Sequence, residues 1–431
     1  MKPALKIAVA GLGTVGGGVL QLLERQAELV AARAGRRIIV AAVSARDRRR
    51  DRGVDLSAAR WYDDPVAMAG DPDIDVVVEL IGGAGGVALG VVEAALAHGR
   101  HVVTANKALL AEHGTALAER AEEAGVALAF EAAVAGGIPI IKTLRESLAG
   151  NRLSRVYGIL NGTSNYILTQ MESRGIEFEL ALEEAQAAGY AEADPSFDID
   201  GFDARDKLCI LARMAFGGRL NVSKIPTYGI RQVRAIDVHS ANRLDSTIRL
   251  VGSAENTDNG IEISVRPWIV NRRSMLAKVE DVNNAVFLVG DKIGTQMFYG
   301  RGAGGDTTGS AVVSDLIEIA RDLTAGQLSA KKISGFLDIH DLELCQNPRP
   351  VGWYLRLTVK DQRGIVARVA EVIAHHDINI DSLEQEPHLP KNRVSFVITV
   401  EPVSEPTIRG AVHAINAFEF MLEPVLLLRV E

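Results

Sequence analysis

Cysteine is nearly missing from this sequence: among 431 residues only Cys209 and Cys345 occur, and neither stands in a CxxC or Cys/His spacing. That scarcity excludes a disulfide framework and a zinc site and fits a reducing cytoplasm. Basic charge is also short, with 47 Lys and Arg against 55 Asp and Glu and a net charge of −8. A chain that neutralises the phosphates of nucleic acid or an anionic membrane needs a basic face, so small molecules are the expected partners. No run of about 18 uncharged apolar residues occurs, which removes a membrane-spanning helix. The N-terminus leads straight into a strand and a glycine loop, without the basic segment, apolar segment and cleavage site of an export signal. Internal repeats and low-complexity stretches are absent too. What remains is globular composition, 47% hydrophobic and 24% charged, at a length that calls for several cores.

Over about the first 130 residues short apolar runs alternate with amphipathic stretches, the pattern of a doubly wound parallel sheet. Strands are expected over 6–10, 38–43, 76–80, 101–104 and 127–131, and helices over 15–31, 88–97 and 109–124. The pattern then changes to an α+β unit, with a helix over 138–148, a strand over 153–160, helices over 179–188 and 203–216, and strand-rich sequence from 247 to 289. An amphipathic helix over 306–323 is expected to return to the first domain. Pro348 and Pro350 mark a linker, and beyond it the order strand, helix, strand, strand, helix, strand spells a ferredoxin-like module. The fold class is therefore α/β. A Rossmann-like domain spans 1–135 and is completed by 301–335, a substrate and oligomerisation domain spans 136–300, a linker 336–350, and a βαββαβ domain 351–431. The sheet-rich middle and the tail together suggest a homodimer or homotetramer.

Gly11-Leu12-Gly13-Thr14-Val15-Gly16 follows an expected strand and opens an expected helix, the context that gives GxGxxG its meaning. Gly11 allows the tight turn, Gly13 lets the backbone approach a pyrophosphate, and Gly16 permits close helix–strand packing. The helix N-terminus adds N–H groups and positive potential. A glycine turn with no ligand is the alternative. At the end of the second strand an NAD site places an Asp or Glu, whereas here Ser44 and Arg46 come first and Asp47 follows. A hydroxyl and a guanidinium suit a 2′-phosphate, which favours NADP(H) over NAD(H). Arg48, Arg49 and Arg50 read mainly as an exposed loop. Thr104-Ala-Asn106-Lys107 stands at the carboxyl end of a strand, where open α/β sheets bind ligands. Lys107 is there either a neighbour of nicotinamide and substrate or a surface ammonium.

Tyr190-Ala-Glu192-Ala-Asp194-Pro195 follows a helix, and Asp198, Asp200, Asp203, Asp206 and Lys207 come soon after. A loop this acidic ahead of a helix is ordinarily a solvated cap. Asp203 and Lys207, however, are one helical turn apart and share a face, while Leu208, Ile210 and Leu211 supply a buried side. Hydride transfer to an aldehyde makes an alkoxide that needs a proton. Lys207 is suited to give it, with Asp203 and Glu192 orienting the lysine, binding a substrate amino group or passing the proton to solvent.

The segments GLGTVG, TANK, FEAAVAGGIP, NGTSNY, GYAEADP and GFDARDK, in this order and at these distances, resemble the homoserine dehydrogenase family from the N-terminus to about residue 330. The resemblance implies reversible NAD(P)-dependent hydride transfer between L-homoserine and L-aspartate 4-semialdehyde, in threonine and methionine biosynthesis. It implies Lys207 as general acid/base, supported by Asp203 and Glu192. It also implies that Tyr190, Asp198 and the Gly162-Thr163 loop bind homoserine and that Lys107 contacts cofactor and substrate. Lys207 ranks above Lys107 as proton donor, and the choice stays open at this level. By the same resemblance Glu131, with the carbonyls of Val134, Gly136 and Ile138, holds a monovalent cation, Na⁺ or K⁺, through hard oxygen ligands. The bare sequence there reads as a strand and a glycine turn. Gly302 and Gly304 are implied near the cofactor ribose or nicotinamide, where glycine permits close approach.

The tail resembles an ACT domain, which implies an amino-acid site between its first strand and first helix. Asp361, Gly364 and Ile365 match that ligand loop, Arg363 stands where proline is common, and Asn379 and Asp381 are nearby polar candidates. Threonine is the implied effector, and a ligand-free dimerisation module is the alternative. Aspartate-semialdehyde dehydrogenase, a close enzymatic rival, needs a nucleophilic cysteine. Cys209 reads instead as a small core side chain. No aspartokinase segment appears, so the bifunctional form is not expected. From another class, a non-catalytic sensor of NADP and an amino acid is the second reading, and turnover separates the two.

Overall fold

Leu, Ile, Ala and Val fill the strand Leu5–Ala10, whose residues are buried on both faces except at Lys6, as a parallel sheet covered by helices requires. The structure, a computed structural model, describes residues 3–326, 341–346, 348–385 and 392–431. The chain forms two compact units. One comprises Met1–Gly162, Asp203–Ile225 and Asn283–Leu342, and the other Thr163–Phe202, Pro226–Val282 and Glu343–Glu431.

The first unit is built on a six-stranded sheet in the order Arg60–Trp61, Ile38–Ser44, Leu5–Ala10, Val76–Glu79, His101–Thr104, Leu128–Ala129. Every adjacent pair is parallel. Strand order reverses at Leu5–Ala10, and the crevice at the carboxyl ends there is where such sheets take ligands. Val9, Val19, Val43, Val78, Val312 and Leu316 share one core. The helix Gly305–Ala325 does return to this sheet, lying across Thr14–Arg25 so closely that a Cβ on Gly18 would stand 2.2 Å from the Gly305 carbonyl oxygen. Leu153–Ile159, Asn283–Gly290 and Gly294–Arg301 add an antiparallel ladder. Two expectations are corrected. The strand over 127–131 is only Leu128–Ala129, followed by a 3₁₀ turn over Glu131–Ala133, and Ala135 and Gly136 then bend the chain with positive φ. The helix expected from 138 begins at 141, because the Glu131 carboxylate accepts the N–H groups of Ile141 and Lys142. It widens to a π-helix over Thr143–Ser147.

Gly162-Thr163, expected as a loop, opens the helix Gly162–Arg174. Gly, Thr and Ser at its start read as a turn, but Ile167, Leu168 and Met171 behind them are buried at helical spacing. In the second unit Ser246–Thr257 and Gly260–Asn271 form a long antiparallel hairpin. The tail shows the expected ferredoxin-like order, with Leu426–Val430, Val351–Val359, Val394–Val403 and Ile380–Gln385 side by side. Helices Ile365–His375 and Glu405–Asn416 close a core around Leu355, Ile373, Phe396 and Ile408. The opposite sheet face meets the helix Ala235–Arg243, which the sequence reading omitted. There Tyr354 Oη donates to the buried Asp237 carboxylate at 2.8 Å and Arg356 pairs with it. Leu426–Val430 also pairs in parallel with Gly260–Asn271.

Of the expected domain completion and linker, 327–340 and Asn347 lie outside the described residues. Where described, the linker is stitched to the hairpin rather than free: Cys345 N–H donates to Ile261 O, Ile261 N–H to Glu343 O, and Arg349 pairs with Glu255. Among the described residues no helix is long and apolar enough to cross a membrane.

Candidate active site

The glycine turn sits at the sheet's order reversal. Gly11 has φ +99°, and a Cβ there would lie 2.5 Å from Leu80 O; one on Gly16 would lie 2.2 Å from Gly11 O. Both glycines are demanded by the fold itself. Gly13 differs, because no described atom lies within 4 Å of where its Cβ would stand. Among the described residues no side chain caps the helix that begins at Thr14, which leaves its first N–H groups to an anion. Leu12 and Gly16 are buried, Val15 is half-buried, and Gly13 and Thr14 are exposed on the open side of the turn. Ser44 is buried and its carbonyl accepts from Gly11 N–H, while Arg46 is exposed just beyond it. The open cradle at Gly13 and the uncapped N-terminus fit a dinucleotide pyrophosphate.

At the ends of the next strands Thr104 is fully buried and its hydroxyl donates to Glu79 at 2.6 Å. It also accepts Asn106 N–H. Glu79 takes the N–H groups of Ile81 and Gly82 as well, so the Thr104 hydroxyl shapes the crevice wall rather than facing a ligand. Asn106 caps the helix Lys107–Glu123 and holds Gly83 O, which sets Lys107 at its first turn.

Asp203 and Lys207 meet as their spacing implies. Lys207 Nζ donates to Asp203 Oδ2 and to Leu160 O, each at 2.8 Å. Lys107 Nζ lies 3.1 Å from the other oxygen, Asp203 Oδ1. One carboxylate thus bridges both lysines, and Asn161 Nδ2 adds a 2.8 Å bond to Oδ2. Burial alone would raise the Asp203 carboxyl, but Lys207, Lys107 and Asn161 outweigh it and hold the group well below the usual carboxylate range. An ammonium has three donors. Lys207 spends two, and among the described residues its third N–H has no acceptor. The Lys207 side chain is 10% exposed, against 32% for Lys107, so the better-ordered proton source is Lys207. Asn161 and the buried Asn284, whose Nδ2 shares Leu160 O with Lys207, are partners the sequence reading missed. Asn161 precedes Gly162 in a segment already singled out, whereas nothing local points to Asn284.

Gly302 is buried against Asn284, whose amide would collide with any Cβ there at 2.1 Å, so its lack of a side chain serves this packing. Gly304, with φ +125°, begins the helix Gly305–Ala325 and is exposed. In the second unit the Thr163 hydroxyl lies 2.8 Å from Tyr190 O and 2.9 Å from Asp198 Oδ2. The Tyr190 ring rests against Tyr166 with centroids 4.9 Å apart. Thr163, Tyr190 and Asp198 are therefore gathered as expected. The Glu192 side chain is exposed on the same loop, and among the described residues only its backbone carbonyl is engaged, by Gln186.

Glu131 is 3% exposed, and burial and then Asp315 raise its carboxyl above the usual range. The carbonyls of Val134, Gly136 and Ile138 accept no hydrogen bond from the described residues. Backbone carbonyls without donors and a carboxylate are oxygen ligands of the kind a hard cation takes, and both Glu131 oxygens here also accept backbone N–H groups, from Ile141 and Lys142. In the tail Gly364 has φ +84° and starts the helix Ile365–His375, with Asp361 exposed and Ile365 buried beside it. Asn379 is committed to Glu401, its Nδ2 donating at 2.8 Å. Cys209 is wholly buried and its thiol is pushed up to about 11 by burial, which makes it unsuited to be the nucleophile of a thioester mechanism.

Residues 11–131 match the family described as "Homoserine dehydrogenase, NAD binding domain", 139–317 the family "Homoserine dehydrogenase", and 353–419 the family "ACT domain". The chain is 43% identical over 439 residues to a homoserine dehydrogenase of Pseudomonas aeruginosa, covering 100% of this chain and 99% of that one. A crystal structure of a homoserine dehydrogenase from Thiobacillus denitrificans superposes with a TM-score of 0.90 at 39% identity, covering 100% of this chain and 98% of its own. A hyperthermophilic archaeal homoserine dehydrogenase in complex with NADPH matches at 27% identity and a TM-score of 0.61, covering 74% of this chain and 98% of its own.

Proposed function

The chain belongs to the homoserine dehydrogenase family, and from that premise we propose that it interconverts L-homoserine and L-aspartate 4-semialdehyde with NADP(H), using Lys207 as the proton donor and acceptor. The observation that carries this reading is the Lys207 ammonium, fixed by Leu160 O and Asp203 with one N–H left over. Bound NADP(H) supplies the hydride to the aldehyde and takes it back from the alcohol. As charge builds on the substrate oxygen, Lys207 gives up the proton of its third N–H, and in the reverse direction it accepts the hydroxyl proton. Asp203 stays ionised, held low by both lysines, and so keeps each ammonium aimed. Lys107 lies on the other side of that carboxylate, suited to the substrate or the nicotinamide amide. Thr163, Tyr190, Asp198 and Glu192 are assigned to homoserine itself, with the carboxylates suited to its ammonium.

NADP(H) is preferred because Ser44 and Arg46 follow the second strand where an acid would select NAD(H), and a relative solved with NADPH supports the same choice. Glu131, Val134, Gly136 and Ile138 are assigned to Na⁺ or K⁺, which would fix the turn over 134–138 in shape. The ACT tail is assigned to feedback by threonine through the turn at Asp361, Gly364 and Ile365, in a homodimer or homotetramer. The test is NADPH oxidation by pure protein with aspartate 4-semialdehyde, with homoserine identified as product. Absence of turnover with NADPH bound would leave only a sensor of cofactor and amino acid.

A further inference from the structure

The loop after the second strand carries Arg46, Arg48, Arg49, Arg50 and Arg52, and among the described residues none of the five has a carboxylate partner. The loop's own acids are outnumbered and form no ion pair with them: Asp47 accepts Arg49 N–H and Asp51 accepts Gly53 N–H. Five guanidiniums without an ion-pair partner, against two acids, on a chain with net charge −8 form a local exception, placed at the carboxyl end of the sheet. Four of the five are exposed. Arg52 is half-buried, and its fork is spent entirely on backbone. Its Nε reaches Leu12 O of the glycine turn at 3.4 Å, and its two terminal nitrogens reach Arg50 O and Asp47 O at 2.5 Å each. Gln21, from the helix behind the glycine turn, holds Arg52 O at 3.3 Å. Trp61, in register with Val43, lies beneath two of these cations, with Arg48 and Arg52 centred 5.3 and 5.5 Å from its ring.

We propose that Arg52 is the positioning residue for cofactor selection, locking the arginine loop onto the glycine turn over Trp61 so that Arg46 and Arg48 are presented to the adenosine 2′-phosphate. The assignment rests on the NADP(H) reading above and deepens it. One guanidinium fork tied to three carbonyls couples the turn that takes the pyrophosphate to the loop that takes the 2′-phosphate. A dianion placed between them meets fixed cations rather than five independently solvated side chains. The rigidity matters because a charged hydrogen bond gains most when its donor is ordered in advance. Lysine cannot substitute, since a single ammonium has no planar fork to span the three oxygens.

Direct binding tests this without turnover. NADPH and NADH differ only in the 2′-phosphate, so fluorescence titration of the full chain with each isolates that contact. Arg52→Ala is expected to weaken NADPH about tenfold or more, the scale of a charged hydrogen bond, and to leave NADH within about twofold. Arg52→Lys is expected to recover less than half of that loss on a logarithmic scale. Adding Arg52→Ala to a chain that already carries Arg46→Ala and Arg48→Ala should weaken NADPH by no more than about a further twofold, because residues that act through one another are not additive. Equal weakening of NADPH and NADH would make Arg52 a structural brace and overturn the assignment. So would full rescue by lysine, or additive losses in the triple variant. A wild-type chain that binds NADH as tightly as NADPH would overturn the NADP(H) reading itself, whereas selective wild-type binding with an indifferent Arg52→Ala would overturn only this inference.

Discussion

Asp203 orders both lysines from a single carboxylate, and that economy makes it the most sensitive residue of the site. Asp203→Asn would leave two ammonium groups facing each other, one of them largely buried. Breaking such a buried pair costs about 3–5 kcal/mol, so the variant should both melt lower and lose turnover, as read by thermal unfolding and steady-state kinetics. Acid sensitivity follows from the same group. Its folded-state pKa lies below the unfolded value of about 3.9, so its stabilising contribution is complete above that pH and is lost as pH falls through the folded-state value. Wild type should therefore show a steeper drop in melting temperature below about pH 4 than Asp203→Asn does. Parallel curves would deny the pair this role. Cys209 provides the opposite control: buried and with its thiol raised to about 11, it should resist iodoacetamide in the folded protein, and Cys209→Ala should keep turnover within about threefold. At this scale the sequence showed Asp203 and Lys207 because helical spacing puts them on one face. Asn284 was illegible, since it joins the site through the Leu160 carbonyl from a strand far along the chain. Thr104 was legible as a position but not as a role, because its hydroxyl turns inward to a buried Glu79 that no spacing rule connects to it.

Glycines separate packing from binding at the level of elements. Gly18 and Gly305 lie where the helices Thr14–Arg25 and Gly305–Ala325 touch, and a methyl group there collides with backbone. Gly18→Ala should destabilise by about 1–3 kcal/mol or more. Gly13→Ala meets no described atom and should unfold near the wild-type temperature while binding NADPH at least about tenfold more weakly. The paired measurement is melting temperature against NADPH affinity, and a Gly13→Ala protein with unchanged affinity would remove the pyrophosphate from this turn. The strands Leu5–Ala10, Val76–Glu79 and His101–Thr104 and the helix Ile365–His375 were plain in the sequence, since strong apolar periodicity is bounded there by glycine or polar turns. Gly162–Arg174 was hidden behind its Gly-Thr-Ser start. Ala235–Arg243 was missed because its exposed face is polar and its buried face turns on Asp237, an acid that no hydrophobic pattern flags.

For the molecule as a whole, the ACT tail is more than an appendage to the second unit. Tyr354 and Arg356 satisfy the buried Asp237, and Leu426–Val430 extends the sheet alongside Gly260–Asn271. Truncation after residue 350 would strip Asp237 of its two side-chain partners, leaving it, among the described residues, the Arg234 N–H alone, and bare the Gly260–Asn271 edge. The shortened chain should melt lower than wild type and tend to aggregate, because it loses the Asp237–Arg356 pair together with the packing around it and leaves an open strand edge. An unchanged melting temperature would show the tail to be independent. The sequence marked the tail's module correctly but read the segment before it as a tether, because prolines signal a break in local structure and say nothing of the pairing of Glu343 and Cys345 with Ile261.

If the third N–H of Lys207 protonates the nascent alkoxide, Lys207→Ala must fail at the chemical step, which single turnover with NADPH and aspartate 4-semialdehyde reads alongside NADPH affinity. The chemical step should fall about 10²–10⁴-fold with NADPH affinity unchanged within about twofold. A variant that still reduces the aldehyde at near wild-type speed, or that loses NADPH binding in proportion to rate, would contradict it.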